Sequence, residues 1–399
     1  MDNIAKHTVH RHFDKALELI NQYDAKESLH FYLKKYFANH KQHGSKDRKI
    51  ITHFCYAFYR IGGNLSGKSI EEKLKAAIFL CEKFVEEQQE IFPPDWIENY
   101  SSDVQKRIDF IQKIYPQFSL HFIFPFENEL SETIDASAFQ QSILIQPKVF
   151  FRIRNGKKNI VLKKLTEAII PFEMVADDCF SVVQNTHLND VLKLDEEAVV
   201  QDLSSQKIRT FLERIKTKNN PANTVIKVWD SCAASGGKSI LAKDVFDEVD
   251  LTVSDIRPQI LNNLYHRFRE ANITGYHSFI ADLSKPISLS EKFDLIICDA
   301  PCSGSGTWAR TPEMLAAFDL QQIDGFQSLQ KKIVANCIPY LAEKGFFLYI
   351  TCSVFKKENE IMTSFIKENF SLQCIHQENI LGYTHRADSM FAALFSSKK

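Results

Sequence analysis

The sequence reads as an α/β protein. A mostly parallel sheet with helices between its strands follows a small α/β domain and an all-helical N-terminal domain. Three observations lead to this reading. Short apolar runs at 225–230, 251–255, 277–282, 293–299 and 346–351 are separated by helix-length segments, and the first four end in Asp. That alternation belongs to parallel sheets. Residues 1–115 instead place apolar side chains at helical spacing, and residues 116–200 mix strand-like runs with loops. The expected division is therefore 1–115, 116–200 and 201–399.

In the first segment, Leu17, Ile20, Leu29, Tyr32, Leu33 and Tyr36 recur with a period near 3.6, as do Ile50, Ile51, Phe54, Ala57, Phe58 and Ile61. Gly44-Ser45 and Gly62-Gly63 punctuate it. Ser45-Lys46-Asp47-Arg48 ahead of an apolar helix reads as a capped start. In the second segment, residues 122–126 and 149–154 read as strand-like, and the latter run into the turn signal Asn155-Gly156-Lys157-Lys158. In the third, helices are expected at 238–246 and 258–271. Residues 371–376 and 389–395 are expected to close the sheet as an antiparallel pair.

Composition narrows the class. A 399-residue chain with 44% hydrophobic and 25% charged residues has enough material for a globular core. The net charge of −1 excludes a general polycation, so any nucleic-acid contact must use local positive charge. The nine cysteines lack regular spacing, which speaks against a disulfide framework and for a reducing, cytoplasmic setting. Residues 1–10 are polar, without the apolar core of a leader. No apolar run approaches the ~20 residues of a membrane span, so no membrane partner is expected.

The first strand enters Asp230-Ser231-Cys232-Ala233-Ala234-Ser235-Gly236-Gly237-Lys238-Ser239. Small residues let a ligand approach the backbone, and a helix start offers free amides. The spacing of a phosphate loop fails here because position 232 is Cys. A tight strand–helix turn is the competing reading of the loop alone. The acids decide between them. Asp255 ends the second strand, where an acid holds ribose hydroxyls, and Asp282 ends the third, on the adenine side of the same crevice. An adenosine compound without a triphosphate fits, and S-adenosylmethionine is one.

Two cysteines occupy short motifs fifty residues apart, Asp299-Ala300-Pro301-Cys302-Ser303-Gly304-Ser305-Gly306 and Thr351-Cys352-Ser353. Each follows a strand. If the strands are neighbours, about 5 Å apart, both sulfurs reach one substrate. Cys298 and Cys302 have no second Cys/His pair at ligand spacing, so no metal is expected. Thiols are superfluous for methylating oxygen or nitrogen, whose lone pairs attack directly. Carbon 5 of a pyrimidine becomes nucleophilic only after a thiolate adds to carbon 6. A base must then take the carbon 5 proton as the thiolate leaves, and a nearby acid such as Asp299 stabilises the activated ring. A cation such as Lys238 favours thiol ionisation. These residues do not say which thiol attacks.

The chain resembles the Nop/Sun family of RNA cytosine-5 methyltransferases, especially the bacterial Sun (Fmu) ribosomal-RNA enzymes. The resemblance covers residues 145–395. It rests on residues 199–206, the loop 230–239, Asp255 with Arg257, Asp282, the run 299–306, and Thr351-Cys352-Ser353 with Glu358-Asn359-Glu360. It implies a Rossmann-like class I methyltransferase domain with a mostly parallel seven-stranded sheet. It implies methyl transfer from S-adenosylmethionine to carbon 5 of a cytosine, in 16S ribosomal RNA or alternatively in transfer RNA. By the resemblance Cys352 is the nucleophile, Cys302 assists release, Asp299 contacts the base, and Lys238 lies at the cofactor–substrate junction. Cys232, Ala233, Ala234, Ser235, Gly236, Gly237, Lys238, Asp255, Arg257, Asp282 and Asp299 would line the cofactor site. The family loop usually has Pro where this chain has Ser235, and retained binding is expected.

Residues 1–115 resemble, through Ser45-Lys46-Asp47-Arg48 and the helix after it, a NusB-like RNA-binding domain. Between residues 152 and 164 stand six cations and no acids: Arg152, Arg154, Lys157, Lys158, Lys163 and Lys164. A solvated hairpin is the plain reading. The density of charge favours phosphate contacts, with Arg152, Arg154, Lys157 and Lys158 as the RNA-binding candidates. A monomer acting on RNA is expected. A small-molecule methyltransferase would need neither thiol, and a non-catalytic RNA-binding protein could lose both.

Overall fold

The computed structural model describes residues 2–81, 86–183, 186–219 and 225–397, which leaves Met1 of the polar start outside. It forms two compact units. The first holds 1–128, 135–146 and 307–320, and the second holds 129–134, 147–306 and 321–399. The division therefore differs from the one read off the sequence. Residues 147–200 share a unit with the later sheet, and 307–320 leave it for the helical unit.

The helical unit is built from Asp2–Gln22, Leu29–Asn39, Ser45–Arg60, Ile70–Cys81, Val104–Ile114 and Ala136–Ile143. Local caps set several starts. The Ser28 hydroxyl accepts from Phe31 N, and Asp103 accepts from Gln105 N. The third helix is capped one residue earlier than expected: Gly44 is the cap, and the Asp47 carboxylate accepts from Gly44 N at 2.9 Å. Ile51, Phe54, Cys55 and Ala57 form its buried stripe. The apolar run 122–126 is not a strand. Ser119 caps a helical turn over Leu120–Ile123, and the Phe122 carbonyl accepts from Gly63 N at 2.9 Å. That bond consumes the backbone a sheet would need. A Cβ on Gly62 would sit 2.3 Å from the same carbonyl. Residues 307–320 belong here because Trp308 packs its ring on Phe124, Phe126 and Phe318. Each such large buried side chain stabilises the core by about 1.5–3 kcal/mol.

The second unit contains two sheets. The smaller is antiparallel, in the order β2-β3-β1-β4, with β1 Val149–Ile153, β2 Glu173–Ala176, β3 Cys179–Val182 and β4 Ala198–Val200. The turn signal at 155–156 is a turn, with Gly156 at φ +73°, but it opens the helix Lys158–Glu167 rather than a return strand.

The larger sheet has seven strands, in the order β10-β11-β9-β8-β5-β6-β7. Its members are β5 Ile226–Asp230, β6 Val249–Asp255, β7 Tyr276–Ile280, β8 Phe293–Asp299, β9 Leu341–Thr351, β10 Leu372–Ile380 and β11 Met390–Ser397. Only β11 runs against its neighbours, so the expected closing pair is present and longer than predicted. Val228, Trp229, Ile296, Ile297, Phe347 and Leu348 are fully buried, as both faces of a covered parallel sheet require. Strand order reverses between β5 and β8. The carboxyl ends there open a crevice, the usual ligand position in this architecture. Among the described residues, no helix is long and apolar enough to cross a membrane.

Candidate active site

The loop after β5 is fixed by its own backbone. Ser231 N donates to Ile297 O and Ala233 N to Ser254 O, each at 2.9 Å. Ala234 and Gly236 take φ of +47° and +83°. At Gly236 a Cβ would lie 2.6 Å from the Phe268 ring, so glycine is needed both for conformation and for packing. Ser235 has a partner of its own. Arg267 donates to its carbonyl and its hydroxyl, each at 3.1 Å, while holding Asp195 with two further bonds. A side-chain anchor thus stands at the position where the resemblance places a proline ring. The Cys232 thiol is half-buried, and its neighbour Cys298 and burial push its pKa well above its ordinary value.

Asp255, at the end of β6, accepts from Ala234 N at 3.0 Å and from Arg257 through the backbone N and the guanidinium. Burial would raise its pKa, but the Arg257 bonds outweigh burial and hold the carboxylate below its ordinary range. Asp282 is placed differently from the expectation: β7 ends at Ile280, and Asp282 stands two residues further, in a turn. It accepts from Ser284 and Lys285, and these bonds lower its pKa. Two residues escaped the sequence reading. Ile256 and Ile280 are 55% and 59% exposed beside the strand-end acids. Large apolar side chains left open beside a strand-end crevice were the available signal. A third, Asp230, was noted only as a strand end. It is fully buried; its Oδ2 accepts from Ser239 at 2.6 Å, and its Oδ1 has no partner. Burial pushes its pKa up to about 7.

The thiols meet. β8 and β9 are parallel neighbours with Asp299 opposite Ile350, and Ala300 N donates to Ile350 O. The Cys302 and Cys352 sulfurs lie 3.2 Å apart. The Cys302 thiol is pushed well above its ordinary pKa, first by its bond to Cys352 and then by burial. Lys238, in the first turn of the helix Gly237–Val245, donates to Asp299 at 2.7 Å. Burial would lower the Lys238 pKa. Asp299 outweighs that effect, and the ammonium stays charged. Gly306 is confined: a Cβ there would sit 2.0 Å from Ser389 O and 3.0 Å from Cys352 O.

Beneath the thiols lies a polar cluster that carried no assigned role in the sequence. Glu358 is fully buried. It accepts from Ser303 N and Oγ, Ser353 Oγ and Gln330 Nε2. Asn359 bonds Thr351 and Ser353. Serines spaced around both cysteines, with an acid shortly after, were the signal for this network.

The cationic run requires a correction. Arg152 is fully buried and bonds Gln201 and Asp244; Arg154 bonds Asp244 and the Asp195 carbonyl. Both guanidiniums are held by Asp244 inside the unit, and Arg152 Nη2 is buried without a partner. The remaining cations also meet acids: Lys157 with Glu196, Lys158 with Asp177, Lys163 with Glu167 and Lys164 with Glu197. Acids from elsewhere in the chain fill the gap that a thirteen-residue window showed. Lys157 and Lys158 keep 40% and 43% of their side chains exposed.

Strand order, glycine loop, strand-end acids and paired thiols define a Rossmann-like class I methyltransferase fold. Residues 186–395 match the family described as 16S rRNA methyltransferase RsmB/F, and the chain belongs to that family. It is 27% identical over 201 residues to the ribosomal RNA small subunit methyltransferase B of Proteus mirabilis, covering 50% of this chain and 46% of that one. It is 31% identical over 174 residues to the tRNA (cytosine(72)-C(5))-methyltransferase NSUN6 of Mus musculus, covering 39% and 35%. The match thus spans less than half the length of these two relatives. The fold is shared with the crystal structure of PH0851, with a TM-score of 0.68 over 98% of both chains at 16% identity.

Proposed function

We propose that this chain methylates carbon 5 of a cytosine in RNA, using S-adenosylmethionine, through a covalent bond between Cys352 and the base. The observation that carries the reading is the 3.2 Å approach of the Cys302 and Cys352 sulfurs beside the Lys238–Asp299 pair. Two thiols converging at a strand-end crevice suit carbon methylation and serve no purpose in oxygen or nitrogen methylation.

The cofactor fits the residues present. Asp255 would take the ribose hydroxyls, Ile256 and Ile280 would flank the adenine, and the backbone of residues 232–237 would follow the amino-acid end. The orphaned Asp230 Oδ1 offers a buried acceptor beside that loop. When bound, S-adenosylmethionine supplies an electrophilic methyl carbon. The chain does the rest. The Cys352 sulfur bonds to carbon 6, and the ring electrons gather on carbon 5. Asp299, held by Lys238, bonds the polar edge of the base as charge develops there. After carbon 5 is methylated, a water molecule takes its proton to solvent, the pair from that bond re-forms the ring double bond, and the pair of the Cys352–carbon 6 bond returns to the Cys352 sulfur. Cys302, kept as a thiol beside Cys352, serves this release by donating its proton to the departing sulfur and regaining one from solvent.

Small-subunit ribosomal RNA is the favoured substrate, on the match to the RsmB/F family. Transfer RNA is the second reading, on the match to the mouse enzyme. The helical unit, read as NusB-like, and the exposed Lys157 and Lys158 would meet RNA outside the target base. A monomer acting in a reducing cytoplasm suits nine free cysteines, two of which must stay reduced. In the test, purified Cys302→Ala is incubated with cofactor and RNA. It accumulates a denaturation-resistant protein–RNA adduct, and Cys352→Ala forms none. Full turnover by Cys352→Ala would overturn the reading. Mapping 5-methylcytosine in cells with and without the protein identifies the RNA.

A further inference from the structure

Glu358 and Asn359 are consecutive and fully buried. A buried carboxylate is costly unless its oxygens are filled, and Glu358 accepts four bonds. Two of its four bonds come from Ser303, at 2.9 Å from the backbone N and 2.6 Å from the hydroxyl. A third comes from Gln330 Nε2 at 2.9 Å, which also donates to Pro301 O at 3.1 Å. Glu358 thus fixes the residues on both sides of Cys302, one directly and one through Gln330.

Asn359 does the same for Cys352. Its Oδ1 accepts from Thr351 Oγ1 at 2.7 Å, and its Nδ2 donates to Ser353 O at 3.0 Å. The two sets are linked through their serines: Ser353 Oγ donates to Glu358, and Ser303 Oγ lies 3.3 Å from Ser353 Oγ. Without the Glu358 bond Ser353 keeps Asn359 at its carbonyl, and Ser305 Oγ and Phe355 N at its hydroxyl. Without Glu358, Ser303 keeps only hydroxyl contacts to Ser305 and Ser353.

We propose that Glu358 and Asn359 are positioning residues with divided duties, Glu358 setting Cys302 and Asn359 setting Cys352. The proposal rests on the two-thiol reading above. It makes adjacent substitutions behave oppositely. Glu358→Ala resembles loss of Cys302: the adduct forms and persists, and turnover falls by about a hundredfold, the usual cost of misplacing a reacting group by about 1 Å. Asn359→Ala resembles loss of Cys352: the adduct does not accumulate, and turnover falls by a similar factor. Glu358→Gln keeps one carbonyl oxygen for Ser303 N and Gln330, while the serine hydroxyls can rotate to accept from its amide. It restores turnover to within about tenfold of the wild type.

The experiment measures adduct yield, turnover and cofactor affinity for the wild type, Cys302→Ala, Glu358→Ala, Glu358→Gln and Asn359→Ala. Cofactor affinity within about threefold of the wild type shows that a variant is folded. Where either alanine variant fails that check, Ser303→Ala replaces Glu358→Ala and Thr351→Val replaces Asn359→Ala, each removing one hydroxyl and the bonds it makes. The expected result is an adduct in the Glu358 or Ser303 variant and none in the Asn359 or Thr351 variant. Equal adduct behaviour in the two sets overturns the division. If Cys302→Ala itself traps nothing, the two-thiol reading fails and the division falls with it. A trapping Cys302→Ala beside a non-trapping Glu358→Ala defeats the division alone.

Discussion

The carboxyl edge of the seven-stranded sheet and the cationic run 152–164 both concentrate charge, and they dispose of it in opposite ways. In the run, each cation meets an acid supplied from 167, 177, 196, 197 or 244, and Arg152 and Asp244 are sealed from solvent. At the edge, capacity is left over. Asp230 keeps an unpartnered oxygen, the two sulfurs face one another, and Asp255 is held by an Arg257 side chain that is 55% exposed and exchangeable. Charge that closes on itself builds a fold, whereas charge left partly unmet at a crevice is available to a ligand. The comparison breaks if the edge proves as inert as the run, or the run as active as the edge.

The largest expected effect is at Lys238, which links the cofactor loop to Asp299. Lys238→Ala should lower single-turnover methyl transfer by about a hundredfold or more, as losing a preorganised charge at a reacting centre does. Cofactor affinity should change by no more than about threefold. Unchanged transfer would make Lys238–Asp299 one more neutralised pair, like those of the run.

Arg152 tests the other side. Removing it leaves the buried Asp244, whose side chain is 4% exposed, with Arg154 as its one remaining cation, and breaking a buried pair costs up to about 3–5 kcal/mol. Arg152→Ala should therefore lower the denaturation midpoint sharply, while RNA affinity per folded molecule stays at the wild-type level. A loss of RNA affinity with stability intact would return Arg152 to the interface.

How far the sequence spoke follows the same line. β5, β6, β8 and β9 were readable because a parallel sheet buries both faces and leaves continuous apolar runs. The meeting of Cys302 and Cys352 was readable because each sits just past such a run. Residues 122–126 misled, since an apolar run carries no record that Gly63 takes the Phe122 carbonyl. Arg152 and Arg154 misled because a charge window counts only its own acids. Glu358 went unassigned because its value lies in bonds to Ser303, fifty-five residues away. Trp308 and Glu313 lie between the two thiol motifs, yet they fold with the helical unit through ring packing on Phe124 and a bond to Leu29 N.

Asp255 is expected to affect binding rather than chemistry. Asp255→Asn removes the charge from its hydrogen bonds, each worth about 1.5–3 kcal/mol, so cofactor affinity should fall about tenfold to a hundredfold. The maximal rate should change little. Calorimetric titration of S-adenosylmethionine checks this. Asp282→Asn should do less, since that carboxylate is already met by Ser284 and Lys285.

Asp230 gives a pH signature. Its folded pKa of about 7 lies above the ordinary 3.8, so between those values the folded state keeps a proton that the unfolded state has lost. Stability from this group is present below about 3.8 and is lost as pH rises toward about 7. Asp230→Asn cannot lose that proton. Its melting temperature relative to the wild type should climb by a few degrees between about pH 5 and pH 8. A flat difference would mean that Asp230 is already charged and that its spare oxygen is satisfied.

The smallest effect is expected at Lys157 and Lys158, the exposed cations of the run that remain candidates for RNA. Glu196 and Asp177 already pair with them, and exposed pairs of this kind are worth about 0–1 kcal/mol. Exchanging a carboxylate for a phosphate therefore gains little. The double substitution Lys157→Ala with Lys158→Ala should weaken RNA binding only about twofold to fivefold. Salt titration separates a small role from none. Two lost phosphate contacts reduce the slope of log affinity against log salt by about 1.5. An unchanged slope would assign the whole run to folding. A loss of tenfold or more would mean that the run, although neutralised in the free protein, releases its cations to RNA. The contrast with the carboxyl edge would then be one of strength rather than kind.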